Sequence, residues 1–355
     1  MIYLVMCAVN DKTPDTSKVE KMNLEQLFEV CQGHILTACV AYALESAGIK
    51  NHEFMQAKEK AVRKNILFDV ERRKILNRLE QEQIWYMPLK GSLLKDDYPK
   101  LGMRQMSDND ILFDTTYRKQ VQKIMTDLGF ECVHYGVGWD DSYFKKPVCN
   151  FEMHSTLFDS ETYGNFHIYY ENVKERLIRD DNSNYGYHFT HEDFYLYLLS
   201  HEYKHFSNGG TGVRSLLDTY IFMQKFFDVL DWDYINRELE ELGIADFERE
   251  NRKLSMKLFA GEELTDEETK RLEYYIFSGT YGVFENLVKN RVEQYGEGSK
   301  VKYVFHRLFP PLEHYKVWFP LAYKYKILIP VVWLYRPIRV IFSNQKCGNN
   351  WTRLP

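Results

Sequence analysis

The chain has 355 residues, 45% of them hydrophobic and 15% aromatic, which is enough apolar material to bury a sizeable core in one unit or two. Its formal net charge of −5 argues against a dedicated nucleic-acid binder, because affinity for a phosphate backbone rests on concentrated Lys and Arg. The cysteines (Cys7, Cys31, Cys39, Cys132, Cys149 and Cys347) show no Cys-x-x-Cys and no paired spacing, which argues against a disulfide framework or zinc knuckle and fits a reducing cytoplasm.

In chain order, the opening MIYLVMCAV is apolar but far short of the ~20 residues that cross a bilayer, and it lacks the basic start of a signal peptide. Residues 18–48 and 52–82 read as two amphipathic helices. Strands and helices then alternate: strand 84–89, helix 91–97, strand 108–114, helix 116–127 with Gly129 as its stop, and strands near 130–137 and 147–157. From about 190 the pattern is helical again, through 192–206, 211–229, 231–242 and 246–260. The expected organisation is an N-terminal helical region (1–82), a mixed α+β core (83–190) and a C-terminal helical region (191–355) ending in an aromatic and proline-rich tail.

Chemistry concentrates in the middle. Asp108 and Asp110 lie two apart at the head of SDNDILF, and in a strand such residues share a face. Two carboxylates side by side repel, and a divalent cation with hard oxygen ligands removes that penalty. An acidic turn ahead of a strand is the plainer reading of Asp-x-Asp alone. Upstream, the strand IWYMPL runs straight into Lys90-Gly91-Ser92 and a helix-like segment. Gly91 allows close backbone approach, the helix start offers N–H groups to an anion, Lys90 adds a cation and Ser92 a hydroxyl. A third acid, Glu152, sits between Phe151 and Met153 in a strand, with His154 on its face by period two. Burying such an acid is costly without a metal or a cationic partner.

Residues 88–113, PLKGSLLKDDYPKLGMRQMSDNDILF, resemble the DNA polymerase β-like nucleotidyltransferase superfamily. More narrowly, the landmarks Leu89-Lys90-Gly91, Tyr98-Pro99, Arg104 and Ser107 to Asp110 are similar to the bacterial uncharacterised nucleotidyltransferase family, as is the Glu152-x-His154 pair. The resemblance implies an α+β fold, a small mixed β-sheet core embedded in N- and C-terminal helices. It also implies metal-dependent transfer of a nucleoside monophosphate from an NTP to an acceptor hydroxyl or phosphate, releasing pyrophosphate. Asp108 and Asp110 would hold two Mg²⁺ (or Mn²⁺) ions, and Glu152 would complete the ion that activates the acceptor, with Glu152 or a hydroxide on that ion as base. Lys90, Gly91, Ser92, Arg104 and Ser107 would bind the nucleotide, ATP by default, with Arg104 in the bidentate geometry that suits phosphate. His154 would orient Glu152 or meet the acceptor, a hydrogen-bonded strand histidine being the alternative. The acceptor is a small molecule, a glycan precursor or a protein side chain; the acidic balance makes tRNA the least attractive, and no stable nucleic-acid complex is expected. A non-catalytic nucleotide- or partner-binding module on the same fold is the competing reading, although loss of a carboxylate is the usual mark of such decay.

A third reading comes from His201-Glu202-Tyr203-Lys204-His205, which matches the H-E-x-x-H of zinc hydrolases. The usual downstream Gly and third His are absent from FSNGG. The family resembled has its own His-x-x-x-His helix, with Lys before the second His, followed by Arg-x-x-x-Asp. These match His201, Lys204, His205, Arg214 and Asp218, so His201, Lys204 and His205 are candidates for the acceptor pocket or its surroundings. Arg214 and Asp218 lie four apart, and an ion pair along one helix is the expectation. The tail VFHRLFPPLEHYKVWFPLAYKYKILIPVVWLYRPIRVIF has no apolar run long enough to span a membrane. Its aromatics beside Lys and Arg suit either a docked helical tail or a peripheral membrane contact.

Overall fold

The computed structural model describes residues 1–136, 138–159, 163–296 and 320–333, with the single positions 299, 301 and 309. Chain contacts divide the protein into two compact units, Met1–Asn286 and Leu287–Pro355. The first begins with five helices: α1 (Ile2–Val9), α2 (Thr16–Val19), α3 (Leu24–Gly33), α4 (Thr37–Ser46) and the long α5 (His52–Gln81). The single helix expected over 18–48 is therefore three. Asn23 stops and restarts the chain by accepting from the Glu25 and Gln26 N–H groups, a capping role that favours Asn over continuation. Ile35, at φ 56°, then breaks the chain between α3 and α4.

The expected sheet follows, in order β1 (Tyr86–Pro88), α6 (Gly91–Leu94), β2 (Asn109–Phe113), α7 (Arg118–Asp127), β3 (Glu131–His134), β4 (Asp140–Lys145) and β5 (Cys149–His154). Across the sheet the order is β1-β2-β5-β4-β3, with β2 and β5 parallel and the other neighbours antiparallel. β4 had no counterpart in the periodicity, because its sequence DDSYFK opens on charged and polar residues. α8 (Gly164–Tyr169) and a two-stranded ribbon, β6 (Ile178–Arg179) with β7 (Tyr187–His188), lead to α9 (His191–Asn208), α10 (Val213–Phe226), α11 (Trp232–Leu242), α12 (Ala245–Ala260), α13 (Asp266–Ser278) and α14 (Phe284–Gly296).

Alternation along the strands decides what faces what. Odd-numbered Ile111, Phe113, Phe151 and Met153 enter one core with Phe68, Ile75 and Leu79 of α5 and Val121, Ile124 and Met125 of α7. Each such side chain contributes about 1.5–3 kcal/mol on burial, which pins the register. Leu112 and Met87 turn the other way, into a second core shared by the helices before the sheet (Leu4, Val40) and those after it (Leu199, Leu217, Leu254). Even-numbered Asp110, Glu152 and His154 lie on the same face as Leu112, between the sheet and the helical body.

Of the second unit, the described residues include a short helix, Pro320–Lys324, and a small apolar cluster of Ala322 and Val332 with Ile329. The membrane contact considered for the tail falls largely outside the described residues. Among those described, no helix is long and apolar enough to cross a membrane.

Candidate active site

The register of the two parallel strands sets Asp110 directly opposite Glu152, and Leu112 opposite His154. Asp110, Glu152 and His154 each offer a ligand atom, all within 4.8 Å of one another. His154 Nε2 is 3.2 Å from Asp110 Oδ1 and 3.8 Å from Glu152 Oε2. Its other ring nitrogen, Nδ1, is buried without a hydrogen-bond partner. The carboxylate oxygens of Asp110 and Glu152 suit a hard divalent cation such as Mg²⁺ or Mn²⁺ and fit the metal that the sequence implies, while the softer imidazole of His154 lies against Asp110 Oδ1.

Asp108 stands just ahead of β2 and is not one of the converging three. Its charge still reaches the site: burial and then Asp110 push its carboxyl up, while Lys90, Arg214 and His154 act in the opposite direction. Burial and the charges of Asp110, Asp108 and Asp140 push Glu152 up to about 8. For Asp110, burial is outweighed by Lys90 and His154, and its carboxyl is held well below the usual range. This unequal treatment of neighbouring carboxylates is common at sites that handle charge.

Lys90 supplies the nearest cation, with Nζ 3.1 Å from Asp110 Oδ2. Its backbone, at φ 43° and ψ −118°, occupies a region that costs a side-chain-bearing residue about 1–3 kcal/mol. The helix that follows is a single turn. The N–H and the hydroxyl of Ser92 both donate to the Leu89 carbonyl, at 3.3 and 2.7 Å, so Ser92 is engaged with its own turn. The free donors expected at this helix start do not come from Ser92, because the chain turns too tightly.

Arg104 also differs from expectation. Its guanidinium donates to Asp218 in bidentate fashion, Nε to Oδ1 and Nη2 to Oδ2, each at 2.8 Å, and Tyr98 donates to the same carboxylate at 2.5 Å. The family landmarks Tyr98, Arg104 and Asp218 thus form one buried cluster beneath Gly91, where an added Cβ would overlap the guanidinium. The ion pair expected between Arg214 and Asp218 is replaced by Arg104–Asp218, because the fork geometry of Arg104 satisfies both carboxylate oxygens at once. Arg214 instead donates to the Gln105 carbonyl at 3.2 Å, and Lys64 to the Ser107 carbonyl at 3.0 Å.

The opposite wall is α9. Tyr197, His201, Lys204 and His205, spaced by helical turns, share one face of it. His201 and His205 meet with Nε2 atoms 3.3 Å apart. Burial, then Lys90 and His205, hold His201 well below the ordinary histidine value. Lys204 is pushed down to about 8 by burial and then Lys90, against the pull of Asp110, Glu152 and Asp140. Glu202 lies off this face. It is buried and accepts from Tyr275, Asn251 and Thr219, at 2.9, 3.1 and 3.4 Å. A zinc hydrolase needs that glutamate beside the metal as base, so the zinc reading of H-E-x-x-H fails on geometry. Sequence reasoning passed over Tyr197, four residues before His201, and Trp139, immediately before Asp140. The four-residue step from Tyr197 to His201 was the available signal for the first; nothing in the pattern flagged the second.

The family model described as "Uncharacterised nucleotidyltransferase" matches residues 20–260, well over half of the chain and the whole of the site just described. No curated protein and no solved structure matches. The chain belongs to the uncharacterised nucleotidyltransferase family.

Proposed function

We propose that the protein transfers a nucleoside monophosphate from an NTP to an acceptor oxygen in a divalent-metal-dependent reaction. One observation carries this reading: Asp110 and Glu152 paired across parallel strands, beside the strained Lys90-Gly91 turn. A bound divalent cation supplies neutralisation of phosphate charge and Lewis acidity at the α-phosphorus. Asp110 and Glu152, with His154 beside them and Asp108 ahead of the strand, would hold it. Lys90 and Arg214 take the phosphate contacts first assigned to Arg104, whose guanidinium is committed to Asp218.

The acceptor oxygen forms the new bond to the α-phosphorus, the bond from that phosphorus to the β-phosphate oxygen breaks, and pyrophosphate leaves. The proton of an acceptor hydroxyl passes to the Glu152 carboxylate, which stands opposite Asp110 across the parallel strands. Positioning and charge neutralisation do most of the work in such transfers. With Asp108, Asp110 and Glu152 all present, turnover is a better reading than a binding module that has lost its chemistry.

Calorimetric titration of each of the four NTPs, with and without Mg²⁺, tests the proposal. Metal-dependent binding of at least one NTP, lost in Asp110→Asn while its circular dichroism stays native, is the expected result. Equal binding by the variant, or none by the wild type, would overturn it.

A further inference from the structure

The sheet sets the two halves of a transfer site on opposite sides of the carboxylates. Reading across, the Lys90-Gly91 turn follows β1, Asp110 is on β2, Glu152 on β5, and Asp140 opens β4. Register places Asp140 opposite His154, and Trp139 is fastened at that edge by its carbonyl, which accepts from the N–H and the hydroxyl of Ser155 at 2.7 and 2.8 Å. Nucleotide phosphates bound at the Lys90 turn therefore leave the β4 side of Glu152 for whatever attacks.

The Lys204 ammonium lies 5.5 Å from the centre of the Trp139 ring and 5.8 Å from that of Tyr163. Tyr163 is anchored to α9 by donating to the Lys204 carbonyl at 3.2 Å. Trp139, whose ring lies beside this ammonium, immediately precedes Asp140, the residue paired with His154. Yet Lys204 has no carboxylate within ion-pair distance among the described residues, whereas Lys90, Lys95, Arg104 and Arg118 each have one. On the same helix face, His201 and His205 add imidazole nitrogens.

An ammonium within reach of two rings and without a carboxylate partner among the described residues is suited to take an anion from a ligand, and the half-buried Trp139 ring beside it suits the face of a sugar or other flat group. A cationic, amine-rich acceptor would meet a like charge here, and a neutral one would leave the ammonium unused. We infer that Lys204, Trp139 and Tyr163 form the acceptor subsite, and that the acceptor carries a phosphate monoester that binds Lys204 while its body lies on Trp139. The inference rests on the nucleotidyl-transfer reading of the same site.

The test is calorimetric, on the full chain with Mg²⁺ and a non-hydrolysable NTP analogue, using glycerol 3-phosphate and glucose 1-phosphate as probes against glycerol and glucose. The phosphate esters should bind and their neutral counterparts should not. Lys204→Met should weaken the esters about tenfold, the scale of one charge-assisted contact. Binding of the NTP analogue alone should be retained in this variant. Trp139→Leu, as a second variant, should weaken glucose 1-phosphate more than glycerol 3-phosphate, since only the former has a ring to stack. If the analogue binds but neither ester does, or if the neutral compounds bind equally well, or if Lys204→Met binds the esters like wild type, the inference falls and the nucleotidyl-transfer reading stands. If no NTP analogue binds at all, that reading falls and takes the inference with it.

Discussion

Arg104 and Asp218 meet as a buried bidentate pair 114 residues apart in sequence, with both nitrogen–oxygen distances at 2.8 Å. The pair ties the segment between α6 and β2 to α10, and so fixes the floor under the Lys90-Gly91 turn. A buried pair of this kind contributes little beyond an apolar replacement, but removing one partner strands the other charge. Asp218→Asn should therefore cost about 3–5 kcal/mol of stability. Urea unfolding followed by tryptophan fluorescence reads it, and a loss comparable to an ordinary surface substitution would show that Arg104 finds another partner.

Gly91 offers a local test of the same cluster. A Cβ there would overlap the guanidinium of Arg104, which cannot swing aside without giving up Asp218. Gly91→Ala should destabilise by about 1–3 kcal/mol, the cost of overpacking a filled site. It should also weaken NTP binding by moving the Lys90 turn. A variant as stable as wild type, with unchanged NTP affinity, would mean that the turn is looser than these contacts imply.

How much of this was legible in the sequence depends on the range of the contact. Period-two alternation in NDILF and CNFEMH placed Asp110, Glu152 and His154 on one face because the intervening Ile111, Phe151 and Met153 must enter a core. The strand order that brings Glu152 next to Asp110 was not readable, since register between strands 40 residues apart leaves no local mark. Arg104 shows the limit most clearly. Its fork suits a phosphate and a carboxylate equally well, and only the fold decides that Asp218 is the one it meets. The same holds for Glu202, whose sequence neighbours suggest a zinc site while its one-residue step around the helix, about 100°, carries it to Tyr275 and Asn251.

Glu202 makes stability depend on pH. Burial pushes its carboxyl up to about 7 from an ordinary value of 4.5, against the opposing effect of Tyr275 and Asn251. Between those two values the folded protein retains a proton that the unfolded chain has released. This contribution to stability therefore falls as pH rises from about 4.5 to about 7 and is level above, a span of about 3 kcal/mol. Glu202→Gln removes the charge while keeping one acceptor oxygen for its donors, and should abolish the slope. Urea midpoints of the variant and wild type should be similar near pH 4.5 and should diverge in the variant's favour by pH 7.5. Parallel curves would show that Glu202 ionises normally.

Lys90 bears on metal binding as well as on nucleotide. With its Nζ 3.1 Å from Asp110 Oδ2, the ammonium neutralises the carboxylate that a divalent ion must share. A single charge and a dication about 5 Å apart repel by about 1.7 kcal/mol even in the dielectric of water. Removing the ammonium should therefore raise affinity for Mn²⁺ alone by about tenfold. The same change should weaken the NTP, because the phosphates lose a cation. Lys90→Met, close in length and uncharged, should thus show tighter Mn²⁺ by electron paramagnetic resonance titration and looser NTP by calorimetry. If Mn²⁺ affinity instead fell along with NTP affinity, Lys90 would be holding Asp110 in place for the ion rather than competing with it, and the strained turn at φ 43° would be the device that positions it.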